Sequence, residues 1–318
     1  MLRVKVLPIF ILVLIIIIPY ARAQTYRVAI FDYDDRINHE QSTAKYIEKQ
    51  LKKIQLKIII DQYSGKKDLA TAVKTLQKLE KENYDLVITI TSDALIIAHH
   101  ILSKTPTLFT NVNNPLFLGF KHLGPPAGNI SGVSYYISVE KQIRFYKSIL
   151  PNLKNIGFIF DRKNKSKRVE LPEARFVCSA MDIDHKIEVI TQVNELQNAA
   201  NRLIEAGVQA LVIGSSDLLY NNISQFIDQC NTEQIPVFSF NKKGVQNGAV
   251  AALSSDYNLM VDELLIPMSV SVLKKEKTPG QIPIGFLKRN SVFINQSQTE
   301  LLDLTIPTDI LSQAMLIP

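Results

Sequence analysis

Residues 86–102 read LVITITSDALIIAHHIL. Leu86–Ile90 is an unbroken, largely β-branched apolar run, short enough for a strand buried on both faces. Thr91-Ser92-Asp93 follows with side chains that cap helices, and Asp93–Leu102 reads as a helix. A buried strand running straight into a capped helix is half of a parallel strand–helix–strand unit. The same grammar returns at Ala210–Gly214 (ALVIG), Ser215-Ser216-Asp217 and a helix over Leu218–Thr232. Two copies of one unit, well separated in the chain, predict two lobes.

The surrounding sequence fills in both lobes. Strands are expected at Tyr26–Phe31, Leu56–Asp61, Thr107–Val112 and Asn129–Ser134, with helices at His39–Ile54 and Leu69–Glu82. The alternation restarts with a helix at Val139–Leu150. A strand at Asn155–Phe160, a helix at Pro172–Met181, a strand at Lys186–Ile190 and a helix at Val193–Ala206 follow. Beyond the second unit come strands at Pro236–Phe240 and Val250–Leu253 and a helix at Tyr257–Lys274. Strands alternating with helices in this way form parallel sheets covered on both faces. The fold class is therefore α/β: two doubly wound parallel-sheet lobes with a central cleft. The expected boundaries are 24–134 plus about 256–280 for lobe one, and 135–255 plus about 281–318 for lobe two.

The 318 residues are 46% hydrophobic and 21% charged, an ordinary globular composition. Net charge is +6 with a pI near 9.1, which invites a nucleic-acid reading. The first 23 residues remove it. Arg3 and Lys5 precede the apolar run Val6–Ile18, Pro19 breaks that run, and Ala21-Arg22-Ala23 has the small-x-small form of a cleavage site. These are the three parts of a secretory signal peptide, and the apolar run is shorter than a membrane span. Deleting them removes three basic residues from 36 and none of the 30 acids, leaving a net charge of about +3. An exported protein, periplasmic or otherwise extracytoplasmic after cleavage near Ala23, is expected, the alternative being that the segment stays on as an amino-terminal anchor. No nucleic-acid partner is.

In open parallel sheets, ligands sit beyond the carboxyl ends of the strands. Those ends carry the candidate binding residues: Asp32 and Tyr33; Thr91 and Ser92; Asn113 and Asn114; Asp161 and Ser166; Ser216 and Asp217; Asn241; and Asp256. Tyr135, at the junction between the lobes, could stack on a flat ligand, with one of the pair Tyr135-Tyr136 facing the cleft. Thr91-Ser92 and Ser215-Ser216 could hold an anion at a helix start or simply cap the helix. Asp32, Asp34 and Asp35 could hold an amine or form a solvated turn.

Catalytic signatures are missing. There is no G-x-S-x-G, no P-loop, no C-x-x-C and no H-E-x-x-H. The five histidines include adjacent His99 and His100, which on a helix point about 100° apart and make poor co-ligands. Neither a metal nor a cofactor is expected. The basic run Lys163–Arg168 reads as a solvated loop and helix start.

Several segments resemble the substrate-binding proteins of ABC transporters, the family that includes tryptophan- and tyrosine-type members. Asn129-Ile130-Ser131-Gly132-Val133-Ser134 is similar to its N-x-T-G-V-S, and Leu150–Gly157 to its L-P-x-x-K-x-I-G. Gln234–Phe238 with Gly248-Ala249 resembles its I-P-V-F and downstream G-A-L. The end, Val292–Asn295 then Leu302–Pro307, resembles V-N followed by L-G-L-T-I-P, with a short helix like Ile310–Ala314 often next. The resemblance covers nearly all of the chain after residue 23. It implies a type I periplasmic binding fold and delivery of a small, amino-acid-like solute to a membrane permease. A non-enzymatic monomer is expected. A ligand-sensing subunit for a membrane receptor or kinase is the alternative.

By matching position, Thr91 and Ser92 look like ligand contacts, Asn114-Pro115 resembles the family's D-P, and Ser166 and Asp217 match its serine and aspartate. The chain departs from the family at Asp161-Arg162 (commonly N-P), at Ser131, Asn114 and Asp303, and in the acidic loop after strand one. The fold also places Cys178 and Cys230 on helices covering opposite faces of one sheet, so no disulfide between them is expected.

Overall fold

The computed structural model describes residues 24–34 and 42–318. The expected signal peptide, Asp35, and the amino-terminal part of the helix expected over His39–Ile54 lie outside the described residues.

The first sheet has five parallel strands: β1 (Thr25–Asp32), β2 (Lys57–Ser64), β3 (Leu86–Ile90), β4 (Thr107–Val112) and β5 (Ile130–Ser134). Their order is β2-β1-β3-β4-β5, with helices α1 (Thr43–Leu51), α2 (Leu69–Lys81) and α3 (Ser92–Ile101) in the crossovers. All five residues of β3 are buried, as the unbroken LVITI run requires of a central strand. α2 is capped by Asp68, whose carboxylate accepts from the Thr71 N–H at 2.8 Å, and it buries Ala72, Leu76 and Leu79. Burying each leucine contributes roughly 1.5–3 kcal/mol.

The second lobe opens with α4 (Val139–Ile149), β6 (Asn155–Asp161), α5 (Lys167–Ala180), β7 (Asp184–Ile190), α6 (Leu196–Glu205) and β8 (Ala210–Ile213). It continues through α7 (Asp217–Tyr220), α8 (Ile227–Thr232), β9 (Val237–Ser239), α9 (Lys242–Gln246) and β10 (Ala251–Ser254). The chain then returns to lobe one for α10 (Tyr257–Met260) and α11 (Ile266–Leu273), joined by a π-turn over Val261–Leu265. Met260, Val261, Leu265 and Leu273 pack in the lobe-one core with Val28, Ile30 and Ile88. β11 (Ser291–Asn295), α12 (Gln296–Leu301), α13 (Thr308–Leu311) and β12 (Ala314–Ile317) finish the second sheet, ordered β12-β11-β10-β9-β8-β6-β7.

Several elements differ from the sequence reading. β10 and β11 pair antiparallel, an exception in an otherwise parallel sheet. The helix expected over Leu218–Thr232 breaks into α7, a short 3₁₀ turn at Ile223–Gln225 and α8. Asn222 explains the break: its side-chain amide donates to the Leu218 carbonyl at 2.7 Å, competing with the helical ladder. α5 starts at Lys167, five residues before the expected Pro172, which sits inside the helix. Proline's φ is helical, so it fits there at the cost of one backbone hydrogen bond. The final segment forms α13 and then strand β12 beside β11, rather than a helix through Ala314.

The last lobe boundary also moves. Ser131 Oγ donates to the Ile282 carbonyl at 2.8 Å, and Ser134 N–H to the Gly285 carbonyl at 2.9 Å. Ile284 and Leu287 pack with lobe-one residues, so the chain stays there past the expected boundary near 281. Three crossings, near 134–139, 254–257 and 287–291, join the lobes.

Side chains alternate across the second sheet. Phe158, Phe160 and Val212 face one core with Cys178; Ile159, Leu211 and Ile213 face the other with Cys230. Both thiols are buried and free.

Candidate functional site

The carboxyl ends of both sheets face a shared cavity of about 890 Å³, within the roughly 300–1,000 Å³ of small-molecule sites. Asp32, Thr91, Ser92 and Asn113 line it from lobe one. Ser166, Ser216, Asp217 and Asn241 line it from lobe two, and Tyr135 from the crossing.

Thr91 caps α3 at φ +87°, a backbone region costing a β-branched residue on the order of 1–3 kcal/mol. Its hydroxyl accepts from the Ala94 N–H at 3.4 Å. The Ser92 hydroxyl accepts from the Asn113 N–H at 3.3 Å, tying the start of α3 to the end of β4. Ser216 donates to Asp161 at 2.7 Å and accepts from the Leu218 N–H at 3.2 Å. Asn241 caps α9 and its amide donates to the Tyr257 hydroxyl at 3.3 Å. The second expected helix-start anion site is reduced, because α7 runs for only four residues.

Four expected residues do not line the cavity. Asp161 stands behind Ser216 and also accepts from the Lys163 N–H at 2.8 Å. Asn114 is buried and caps the short turn at Pro115–Leu118. Asp256 caps α10, accepting from the Asn258 and Leu259 N–H groups. Tyr33 packs toward α2, with the Lys165 ammonium 5.9 Å from its ring. In each case the strand end supplied the residue, but a cap or packing position occupies it.

Tyr135 and Tyr136 point apart. Tyr135 meets Tyr257 edge-on at 5.7 Å, and its hydroxyl lies 3.3 Å from Ser166 Oγ. Burial raises the Tyr135 pKa well above the usual phenol value, and the charges of Tyr257 and Glu170 add to it. The Tyr136 hydroxyl instead donates to Glu173 at 2.6 Å.

Other cavity residues went unmarked in the sequence. Asn111 sits at φ +54° where the β4–β5 register shifts, and donates to Thr43 Oγ1 at 2.8 Å. Asparagine tolerates this left-handed conformation, so the bulge turns its side chain to the cleft. Lys165, from the run read as a solvated loop, reaches across to Asp93. Burial, and then the Arg168 charge, lower its pKa. Lys243 pairs with Asp217 at 3.1 Å.

Glu170 is 5% exposed. Its carboxylate accepts from Asn113 Nδ2 of lobe one at 3.2 Å and from the Ser215 N–H of lobe two at 2.9 Å. Burial raises its pKa, opposed by hydrogen bonds from the Ser215 side chain and N–H and from the Asn113 amide. Because α5 begins at Lys167, Glu170 lies one turn beyond Ser166 and aims at the meeting point of the lobes. With the helix expected to start at Pro172, nothing in the sequence aimed it there.

Among the described residues, no cluster of His, Cys, Asp and Glu could hold a metal, and no helix is long and apolar enough to cross a membrane.

Two parallel-sheet lobes joined by three crossings, with a polar cleft fed from both, are the type I periplasmic binding fold, in which the ligand site lies beyond the carboxyl ends of the strands. The family described as ABC transporter substrate binding protein matches residues 36–317, and the chain belongs to it. It is thus a binding component of an ABC transport system. A tyrosine-binding protein of Clostridioides difficile (strain R20291) is 24% identical over 251 residues, 78% of this chain and 71% of its own. Two solved structures share the fold. One is an ABC domain from Streptococcus pneumonia in complex with L-Trp (18% identical, TM-score 0.73, covering 93% of this chain and 100% of that one). The other is the ligand-free, open form of a substrate binding protein with adhesive properties from Clostridium difficile (20% identical, TM-score 0.75, covering 92% and 99%).

Proposed function

We propose that the chain captures an amino-acid-like solute, with an aromatic side chain favoured, and releases it unchanged to an ABC import permease. The observation that carries this reading is the cleft itself. Hydrogen-bonding groups from both lobes surround a space where Tyr135 and Tyr257 present aromatic surface. Such a lining suits a ligand with charged ends and a flat apolar body. The tyrosine-binding relative and the L-Trp complex of the same fold support the choice. The protein works outside the cytoplasm as a monomer, after its amino-terminal segment is cleaved near Ala23.

A thermal-shift screen of the purified protein against amino acids, amines, nucleobases and sugars tests the ligand class. A solute at 100 times its Kd adds about 2.7 kcal/mol, an easily visible shift. If no amino acid moves the transition, the ligand class is wrong.

A further inference from the structure

The charges around the cleft are unevenly matched. Lys165 pairs with Asp93 and Lys243 with Asp217, each near the mouth. Glu170 lies deeper, and its hydrogen-bond donors are all neutral: the Asn113 amide, and Ser215 through both its backbone N–H and its side chain. Among the described residues no lysine or arginine forms an ion pair with it. The nearby Glu173 adds a further negative charge to its surroundings. A buried carboxylate held only by neutral donors is poorly compensated, and a cation brought to it gains more than it would in water. Tyr135, Tyr220 and Tyr257 line the same cavity, and aromatic faces also favour a cationic nitrogen.

We propose that Glu170 is the specificity-determining residue of the cleft, and that it selects solutes carrying a positively charged nitrogen, which docks against its carboxylate on the cavity floor. This rests on the reading above only in taking the cleft as the solute site. It goes further by assigning which group of the solute is read, and by which residue. The Asn113 contact gives the choice a mechanical consequence. A carboxylate that bridges both lobes and also binds the solute's cation couples recognition to closure of the lobes.

Isothermal titration of the wild type and Glu170→Gln with matched solutes tests it. The probes are L-tyrosine, its deaminated analogue 3-(4-hydroxyphenyl)propionate, and its decarboxylated analogue tyramine. On the wild type, the deaminated analogue should bind about tenfold or more weakly than L-tyrosine, as expected for losing a charge-assisted contact. In Glu170→Gln, L-tyrosine and tyramine should lose about the same factor, while the deaminated analogue keeps its wild-type affinity or gains. That retained binding also reports an intact cleft. A glutamine that weakens all three equally would mean Glu170 only braces the lobes, and would overturn the proposal. So would equal binding of L-tyrosine and its deaminated analogue by the wild type, or no binding of either amine. Binding of tyramine in a Glu170-dependent way without L-tyrosine would instead refute the amino-acid reading and leave this one standing.

Discussion

The Lys165 ammonium, carried by lobe two, pairs with the Asp93 carboxylate at the start of α3 in lobe one. The two groups lie on facing walls of the cleft, so the pair forms only when the lobes are near each other. It therefore adds to the closed state and not to either lobe alone. The side chains are 36% and 28% exposed, so solvent screens them and their coupling is about 1 kcal/mol at most. Asp93→Asn or Lys165→Met should then weaken ligand binding by up to about fivefold, with the double variant no worse than either single one. The effect should shrink as salt rises. Additive losses in the double-mutant cycle would show that the two residues act separately.

The second expectation concerns the thiols. Burial pushes both Cys178 and Cys230 up to about 12, and each lies in a different core of the second sheet. Ellman's reagent should find no reactive thiol in the native protein and two after denaturation. A mass shift on reduction would contradict the placement of the two helices on opposite faces.

Gly132 allows β5 to lie against β4. A Cβ there would come within 2.2 Å of the Phe109 carbonyl oxygen and 2.5 Å of its nitrogen, both backbone atoms that cannot swing aside. Gly132→Ala should destabilise the protein by about 1–3 kcal/mol, lowering Tm by several degrees. An unchanged melting curve would mean that β4 and β5 can separate at no cost.

Glu80 makes a prediction with a pH sign. Burial would raise its pKa, but hydrogen bonds from Thr105, Ser103 and the Lys104 N–H together outweigh this and hold the carboxyl down at about 2. Its usual value in an unfolded chain is about 4.3. A depressed folded value means stability that is present above about pH 4.3 and lost as pH falls toward 2. The stability gap between wild type and Glu80→Gln should thus be full at pH 6 and close steadily below pH 4. A gap independent of pH between 6 and 2.5 would show that the Ser103–Thr105 loop does not depend on the ionised carboxyl.

Much of this molecule is legible in its residues. Period and run length placed β3, β4 and α2 to within a residue, because a strand buried on both faces must be continuously apolar and an amphipathic helix must repeat every three to four. The strand-end rule located the cleft, and with it Asp32, Ser92, Asn113, Ser216 and Asn241. It missed at Asp161, Asn114 and Asp256, whose side chains are taken up by a cap or by a neighbouring hydroxyl and do not line the cavity. Thr91, Ser216 and Asn241 are caps as well and do line it, so which capping side chain also reaches the cleft is set by the fold and not by the residue type.

The sequence by itself determined two lobes built on parallel sheets and the strand ends that face a cleft, since these follow from local periodicity and from the way strands alternate with helices. Only the tertiary structure decided what the cleft holds at its floor. Glu170 reaches that position through the early start of α5, Asn111 through a bulge in β4, and Lys165 by spanning to the other lobe. Two of these placements depend on contacts between lobes and between residues more than 50 positions apart in the chain, Asn113 with Glu170 and Asp93 with Lys165. No local pattern encodes such a contact, because it exists only once the two lobes face each other.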